Sequence, residues 1–175
     1  SSVTVTQLGL GDILVGWGYS LFDHPPLLVE GTWVGDGGPG FAFAVMNNHT
    51  RSLGGVDDPF DDFAREKRFQ QAQSIAQKVQ DIQTADPNTP LVLVGDYNAF
   101  QFTDGYVDVV GQIRGEVNPD HNVLSGPVIT SPTLANAIEV APDDQRYSYL
   151  YQGTHQVFDH ALISRAARPF VVEQA

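Results

Sequence analysis

Residues 91–98 of this chain read Leu-Val-Leu-Val-Gly-Asp-Tyr-Asn. Four apolar residues between turn signals predict a short strand that is covered on both faces. Asp96 and Asn98 follow it two residues apart, so on an extended backbone they share a face. A carboxylate and an amide at the open end of a sheet are suited to bind a metal, orient a water and hydrogen-bond a phosphate. On spacing alone, a simple turn explains the pair better.

Two further strand ends carry polar residues. The apolar residues 41–46 lead into the polar stretch 47–52, which contains His49. An imidazole there is suited to donate to phosphate or to move a proton, although a single histidine at a strand end is more often structural. Asp159 and His160 interrupt a third apolar run. Because an unpaired buried carboxylate is costly, we expect Asp159 to meet a donor or a cation.

The remaining elements follow from periodicity and turn signals. A helix is predicted after Asp58 and Pro59, with its last apolar position at Ile82, because its apolar residues recur at helical spacing. Residues 35–40 predict a tight turn and not a phosphate loop, since they join two strands. Further strands are predicted at 3–8, 26–34, 146–151 and 155–164, and short helices at 103–110 and 131–140.

Composition limits the classes of function. The 175 residues fit one domain, and the net charge of −12 opposes general binding of nucleic acid through a basic surface. A polyanion would have to be held locally, for instance by a divalent cation on clustered carboxylates. The chain contains no cysteine, which excludes disulfides and thiol catalysis, and no apolar run long enough to span a bilayer.

Taken together, the strand-end motifs resemble the endonuclease/exonuclease/phosphatase family, which includes DNase I-like nucleases, and more closely its bacterial secreted-nuclease branch. The resemblance covers most of the chain and depends on the order and spacing of several segments. These segments are residues 47–52, the helix at 65–79, residues 95–100, residues 104–106, residues 147–149, and Asp159 with His160.

The resemblance implies an α+β fold, a two-sheet αββα sandwich of the DNase I type, present here as a single incomplete domain at 1–175. It also implies catalytic roles for four residues. Asp96 would bind metal or activate the attacking water, and Asn98 would bind metal and a phosphoryl oxygen. His49 would contact the scissile phosphate, and Asp159 would orient a catalytic histidine.

The same resemblance implies further binding residues and partners. Asn48 and Arg51 would bind substrate, and the cofactor would be Mg²⁺, with Mn²⁺ or Ca²⁺ as alternatives. The expected substrate is nucleic acid, most favourably DNA and otherwise RNA. Secretion by a bacterium is expected from the family branch, and nothing in the sequence indicates a protein partner.

Two family motifs have no match in these residues. The early strand with the metal-binding Glu is missing, because Glu30 lies in a context that matches a later strand, and the final Ser-Asp-His motif has no counterpart. We therefore expect residues 1–175 to be part of a longer enzyme and to be inactive alone. Robust Mg²⁺-dependent nuclease turnover by the purified chain would contradict this expectation.

Alternatives remain open on the sequence. The same fold would also suit a phosphatase or a phosphodiesterase acting on phospholipid headgroups, since fold does not determine substrate. A noncatalytic binding or structural module is a further hypothesis. The aromatic residues Phe100, Phe102 and Tyr106 fit either base stacking or packing beneath the site. The histidines at 24, 121 and 155 are interpreted as surface or loop residues.

Overall fold

Three strands, one long helix and a fourth strand follow one another in the described part of residues 2–96, as the apolar pattern predicts. The computed structural model describes residues 2–7, 18–34 and 40–171. In these ranges the strands are β1 (Ser2–Gln7), β2 (Leu27–Trp33), β3 (Phe41–His49), β4 (Leu91–Asp96), β5 (Ala135–Asn136), β6 (Tyr149–Tyr151), β7 (Thr154–Gln156) and β8 (Asp159–Ile163). The helices are α1 (Phe63–Ala85) and α2 (Val109–Arg114), with short 3₁₀ turns at Pro119–His121, Ala137–Val140, Asp143–Gln145 and Arg168–Phe170.

The predicted α+β class is confirmed. A six-stranded sheet has the order β1-β2-β3-β4-β8-β5, and β6 and β7 form a separate two-stranded sheet. Strands β3 and β4 are parallel and are connected through α1, whereas β8 runs antiparallel to β4. The C-terminal ends of β3 and β4 and the N-terminal end of β8 therefore meet at one edge of the sheet. The described residues form one six-stranded sheet and one two-stranded sheet. The predicted two-sheet sandwich is therefore incomplete in these residues.

One face of the large sheet packs under α1 and forms the core. Met46 of β3, Leu93 of β4 and Leu162 of β8 are fully buried there, against Ile75 and Val79 of α1. The alternating burial of β3 and β4 matches the two-residue period of a strand. In the part of the chain that the structure describes, no helix combines the length and apolar character needed to cross a membrane.

Element boundaries differ from the predictions where short polar side chains make local turns. Helix α1 begins at Phe63, later than expected, because Asp58 and Asp61 accept hydrogen bonds from the backbone N–H groups two residues on. Such turns compete with the helical hydrogen bonds. The helix predicted at 103–110 is a turn around Asp104, and α2 starts at Val109 with Asp108 as its N-cap.

Two predictions in the second half are wrong in detail. The helix expected at 131–140 is instead β5 followed by a 3₁₀ turn, because β5 pairs with β8. The long strand expected at 155–164 is divided into β7 and β8, which belong to different sheets. The strands predicted at 3–8 and 26–34 are confirmed as β1 and β2, whereas residues 35–39 of the predicted turn lie outside the described residues.

Gly95 allows β4 to approach β3 closely. Its φ of +132° is one that side-chain-bearing residues rarely adopt, and a Cβ at this position would overlap with the carbonyl oxygen of Asn48. This glycine stands immediately before Asp96 and opposite Asn48 in the β3–β4 register. Because Gly95 has no side chain, β4 can lie close to β3 at the residue immediately before Asp96.

The N-terminal half of α1 turns three polar side chains toward the loops at the sheet edge. Lys67, Arg68 and Gln71 are all buried, although their residue types usually stay in solvent. Arg68 donates from Nη1 to the carbonyl oxygens of Arg51 (2.6 Å) and Asn98 (3.0 Å). It therefore joins the loop after β3 to the loop after β4.

Arg68 is also paired with a carboxylate. Its Nη2 lies 3.4 Å from Oδ2 of Asp104. Burial lowers the pKa of the Arg68 guanidinium, and the charge of Asp104 opposes that shift. Because a guanidinium stays protonated in proteins, this is a buried cation whose hydrogen bonds and ion pair offset its desolvation.

We expect Gly95→Ala to destabilise the protein by about 2–5 kcal/mol, because it adds both backbone strain and a steric overlap. Urea unfolding of the two proteins measures the change. Gly105→Ala is the matched control, since Gly105 also has a positive φ of +86° but no heavy atom lies within 4 Å of an added Cβ. Equal losses in the two variants would contradict the role given to the β3 contact.

We expect Arg68→Met to cost about 3–5 kcal/mol, because it leaves Asp104 and two carbonyl oxygens without their donor. Arg65→Met serves as the control on the same helix. Arg65 also donates to two backbone carbonyls but is only half-buried, so about 1 kcal/mol is expected. Similar unfolding free energies for both variants would show that Arg68 does not organise the loops.

Candidate functional site

Three polar residues form a row across the sheet edge. His49 of β3 stands beside Asp96 of β4, and Asp96 stands opposite Asp159 of β8 in the strand register. Side chains directly beside each other on neighbouring strands lie on the same face, here the face away from α1. His49 Nε2 lies 3.9 Å from Asp96 Oδ2, and both side chains are close to half exposed. The structure therefore brings together three residues that are far apart in the sequence.

Local hydrogen bonds orient the Asp96 carboxylate. Its Oδ1 accepts from the backbone N–H of Asn98 at 2.7 Å, which leaves Oδ2 toward His49. Asn98 adopts a positive φ of 44° and donates from Nδ2 to the carbonyl oxygen of Thr50 at 2.9 Å. The tight turn expected of this pair is thus present, and it also positions both side chains at the edge.

Thr50 connects the ends of β3 and β4. Its N–H donates to the carbonyl oxygen of Asp96 at 3.1 Å, and its Oγ1 donates to the carbonyl oxygen of Tyr97 at 2.5 Å. Since Thr50 is almost fully buried, these bonds are shielded from water. The two loops therefore behave as one hydrogen-bonded unit.

A polar cavity of about 270 Å³ opens beside this row, and we call it the phosphate pocket. Of the predicted site residues, His49, Arg51, Asp96 and Asn98 line it. The other lining residues are Asp23, His24, Thr50, Ser52 and Gln71. Four of the six site residues predicted from the sequence thus share one cavity.

Asp23 and His24 are members of the pocket that the sequence did not indicate. The His24 ring stacks on His49 with centroids 4.8 Å apart and an interplanar angle of 3°. Asp23 receives both its hydrogen bonds from Lys67 Nζ, at 2.9 Å each. His24 is an exposed loop residue, as the sequence indicates, and antiparallel pairing brings this segment before β2 beside the end of β3.

Arg51 brings positive charge to the phosphate pocket. Its backbone N–H donates to Gln71 Oε1 at 2.8 Å, and its guanidinium lies 5.1 Å from the centroid of the Phe63 ring. No ion pair of Arg51 is found among the described residues, whereas Lys67 and Arg68 are paired with carboxylates. Its charge is thus available to a ligand in the pocket.

Two predicted site residues are placed differently from expectation. Asn48 faces α1 and is buried, and its Nδ2 donates to the hydroxyl of Tyr97 at 3.0 Å. Strand alternation therefore turns the Asn48 side chain toward α1 and away from the pocket, where contact with substrate was expected. Asp159 is exposed at the start of β8, and in the described ranges its carboxylate has no ion pair. The Asp159 side chain is exposed and not buried in an apolar strand, because β8 begins at this residue and not before it.

His160 supports the loop after β4 from the buried side of the sheet. Its Nε2 donates to the carbonyl oxygen of Ala99 at 2.8 Å, and its Nδ1 accepts from Asn136 Nδ2 at 2.9 Å. Burial lowers the pKa of His160, which favours the neutral ring that this pattern requires. Burial also raises the pKa of the Tyr97 hydroxyl, whose ring meets His160 edge-on. Both side chains are therefore structural.

The donor set suits an open magnesium site and not a closed one. Asp96 offers Oδ2 and Asn98 offers Oδ1, since their other polar atoms make the bonds described above. The described residues contain no group of three or more His, Asp or Glu able to hold a metal. Mg²⁺ often takes only one or two carboxylates and completes its shell with water and substrate phosphate. The opposed carboxylates of Asp96 and Asp159 would also repel each other less beside a cation.

Comparisons with known proteins give structural likeness without close sequence identity. No protein-family model matches the chain, and no curated protein sequence matches it. The chain is similar to a structure of the human Nocturnin catalytic domain, with 15% identity, a TM-score of 0.47, and coverage of 94% of this chain and 47% of that one. Truncated Caenorhabditis elegans TDP2 gives 14% identity, a TM-score of 0.49, and coverage of 94% and 52%.

A third similar structure is an endonuclease/exonuclease/phosphatase family protein from Bacteroides thetaiotaomicron. It gives 19% identity, a TM-score of 0.47, and coverage of 82% of this chain and 43% of that one. The chain spans about half the length of these three structures. The function of this chain therefore has to be argued from the geometry of its site.

Proposed function

We propose that this chain carries the catalytic edge of a divalent-metal-dependent phosphodiesterase, with DNA as the favoured substrate and RNA as the alternative. The observation that carries the proposal is the approach of His49 Nε2 to Asp96 Oδ2, 3.9 Å apart, in a pocket that Asn98 and Arg51 also line. This set contains a hydrogen-bond donor, a carboxylate, an amide and a cation around one cavity. Those are the groups that phosphoryl transfer requires for positioning and charge stabilisation.

Each side chain has a role that its geometry allows. The free Oδ2 of Asp96 accepts a hydrogen bond from the attacking water and turns the water oxygen toward phosphorus. His49 donates to a non-bridging phosphate oxygen, and the second amide hydrogen of Asn98 donates to another. Arg51 offsets the charge that accumulates as the water oxygen bonds to phosphorus and the ester P–O bond breaks. Mg²⁺ bound by Asp96 and Asn98 would add positive charge at the phosphate and make the water more acidic.

Positive charge is concentrated near the site, and among these cations Arg51 has no ion pair in the described residues and lines the pocket. The protein carries a net charge of −12, yet four of its nine Lys and Arg residues belong to the site loop or the first two turns of α1. Those residues are Arg51, Arg65, Lys67 and Arg68. A general polyanion-binding surface is therefore not expected, and binding should depend on the pocket.

A noncatalytic binding module is the second candidate. The observation that favours it is the lack of a three-residue metal cluster in the described ranges. It predicts that no metal binds near Asp96.

Secretion and the single-domain organisation, both expected from the family resemblance, stay predictions.

We expect Mn²⁺, used as a spectroscopic substitute for Mg²⁺, to bind the purified chain at one site that Asp96→Asn weakens at least about tenfold, or 1.4 kcal/mol. Asn keeps the shape of the side chain but removes its charge. Electron paramagnetic resonance of free Mn²⁺ gives the affinity and does not require turnover. Asp144→Asn is the control, because Asp144 is an exposed carboxylate away from the pocket. Unchanged Mn²⁺ affinity in Asp96→Asn would favour the noncatalytic candidate.

Substrate class is tested by the products of hydrolysis. With Mg²⁺ and the full-length protein, we expect acid-soluble nucleotides from DNA and little free phosphate from small phosphoesters. Asp96→Asn should lower the rate by about 10²–10⁴-fold, as for loss of a group that handles a proton in the transition state. Release of free phosphate in preference to nucleotides would instead indicate a phosphatase.

We expect His24→Ala to weaken binding of a phosphorothioate dinucleotide by about 3–10-fold, since the ring that stacks on His49 is lost. His24→Phe should restore most of the affinity if stacking alone matters. Isothermal titration calorimetry measures both, and His121→Ala, an exposed histidine outside the pocket, is the control. Identical affinities in all four proteins would remove His24 from the site.

A further inference from the structure

A second concavity, of about 460 Å³, adjoins the phosphate pocket and has aromatic walls. We call it the aromatic groove and define it by Phe100, Tyr149, Tyr151 and Phe158. Among the lining residues that the structure describes, none carries a Lys, Arg, Asp or Glu side chain. Its volume falls in the range of small-molecule sites, and its chemistry suits a flat, uncharged group.

The ring faces are arranged as a platform. Tyr149 stacks on Phe158 at 5.4 Å with an interplanar angle of 21°, and on Tyr151 at 6.4 Å and 15°. Phe158 meets Phe100 at 5.3 Å. Because Tyr149 and Tyr151 are two residues apart on β6, they present the same face of the strand.

The two tyrosines are not core residues. Tyr149 is 45% exposed and Tyr151 is 52% exposed, so each leaves ring surface in contact with water. Of the other aromatic residues considered from the sequence, Tyr106 packs against the hydrophobic core, whereas Phe102 is exposed and stacks on Phe100. Exposed rings with nearly parallel faces are the arrangement on which planar ligands stack.

The aromatic groove shares a wall with the phosphate pocket. Ser52 and Asn98 line both cavities, so Asn98 forms part of the wall between them. A ligand with a phosphate beside His49 and Arg51 would therefore reach the aromatic rings with its adjacent group. In a nucleic acid that adjacent group is a planar base on a sugar, whereas sugar phosphates and lipid headgroups have no flat aromatic ring there.

We infer that the aromatic groove binds a nucleobase next to the scissile phosphate, by stacking on Tyr149 and Tyr151. This inference rests on the proposed function, whose substrate it narrows to nucleic acid. Stacking requires no particular base, because every base has a π face, so the contact gives affinity with little sequence preference. It also supplies binding energy that does not depend on positive charge, which suits an acidic protein.

The test uses a phosphorothioate dinucleotide that carries 2-aminopurine, a base whose fluorescence is quenched when it stacks. We expect quenching by the wild-type chain, and dissociation constants about 5–100-fold higher for Tyr149→Ala and Tyr151→Ala. Tyr149→Phe should bind like the wild type, because the ring is kept. Tyr147→Ala is the matched control, since Tyr147 stacks on His155 outside the groove.

The outcomes separate the groove from the chemistry. Unchanged quenching in both alanine variants would overturn the inference, as would equal wild-type affinity for the dinucleotide and for an abasic analogue, a measurement that needs no variant. Wild-type binding to phosphatidylglycerol vesicles without binding to the dinucleotide would also overturn it, in favour of a lipid surface. Normal quenching together with absent Mn²⁺ binding would contradict the proposed hydrolysis but leave the base site supported.

Discussion

The structure depends on one buried cation, the guanidinium of Arg68. It lies inside the protein, where an unpaired charge would be very costly, so its partners must stay in place. Two of those partners are the carbonyl oxygens of Arg51 and Asn98, which belong to loops separated by most of the β3–α1–β4 unit. The same guanidinium donates hydrogen bonds to both loops. Movement of either loop would therefore expose the Arg68 charge to water or leave it without a partner. The candidate site is therefore held by the helix that crosses between its two main strands.

The strand order then decides which polar residues meet. A parallel β3–β4 pair places two strand ends at one edge, and the antiparallel β8 adds its beginning. His49, Asp96 and Asp159 consequently form a row on the face away from the core. Residues of the opposite parity, such as Asn48 and His160, are buried beneath them and support the loop with hydrogen bonds. Because successive side chains of a strand point to opposite faces, those on one face can touch a ligand, whereas those on the other face hold the edge together.

Polar groups and aromatic rings line two neighbouring cavities separately. The phosphate pocket contains the polar groups and Arg51, while the aromatic groove is uncharged along the residues that line it in the described ranges. A protein of net charge −12 gains little from long-range attraction of a polyanion. The proposed hydrogen bonds, bound cation and ring stacking would act at short range and would therefore be effective on such a surface.

The sequence by itself determined the local parts: the apolar run before Asp96, the strands on either side of α1 and the turn at Asn98, because these depend on period and on neighbouring residues. The burial of Arg68 is also indicated by the sequence, since this residue falls between Ala64 and Ala72 on the apolar stripe of the helix. Only the tertiary structure decided that His24 joins the pocket, that Asn48 turns away from it, and that Tyr149 and Tyr151 stand beside it. Those outcomes come from pairing between distant segments, which no local pattern encodes.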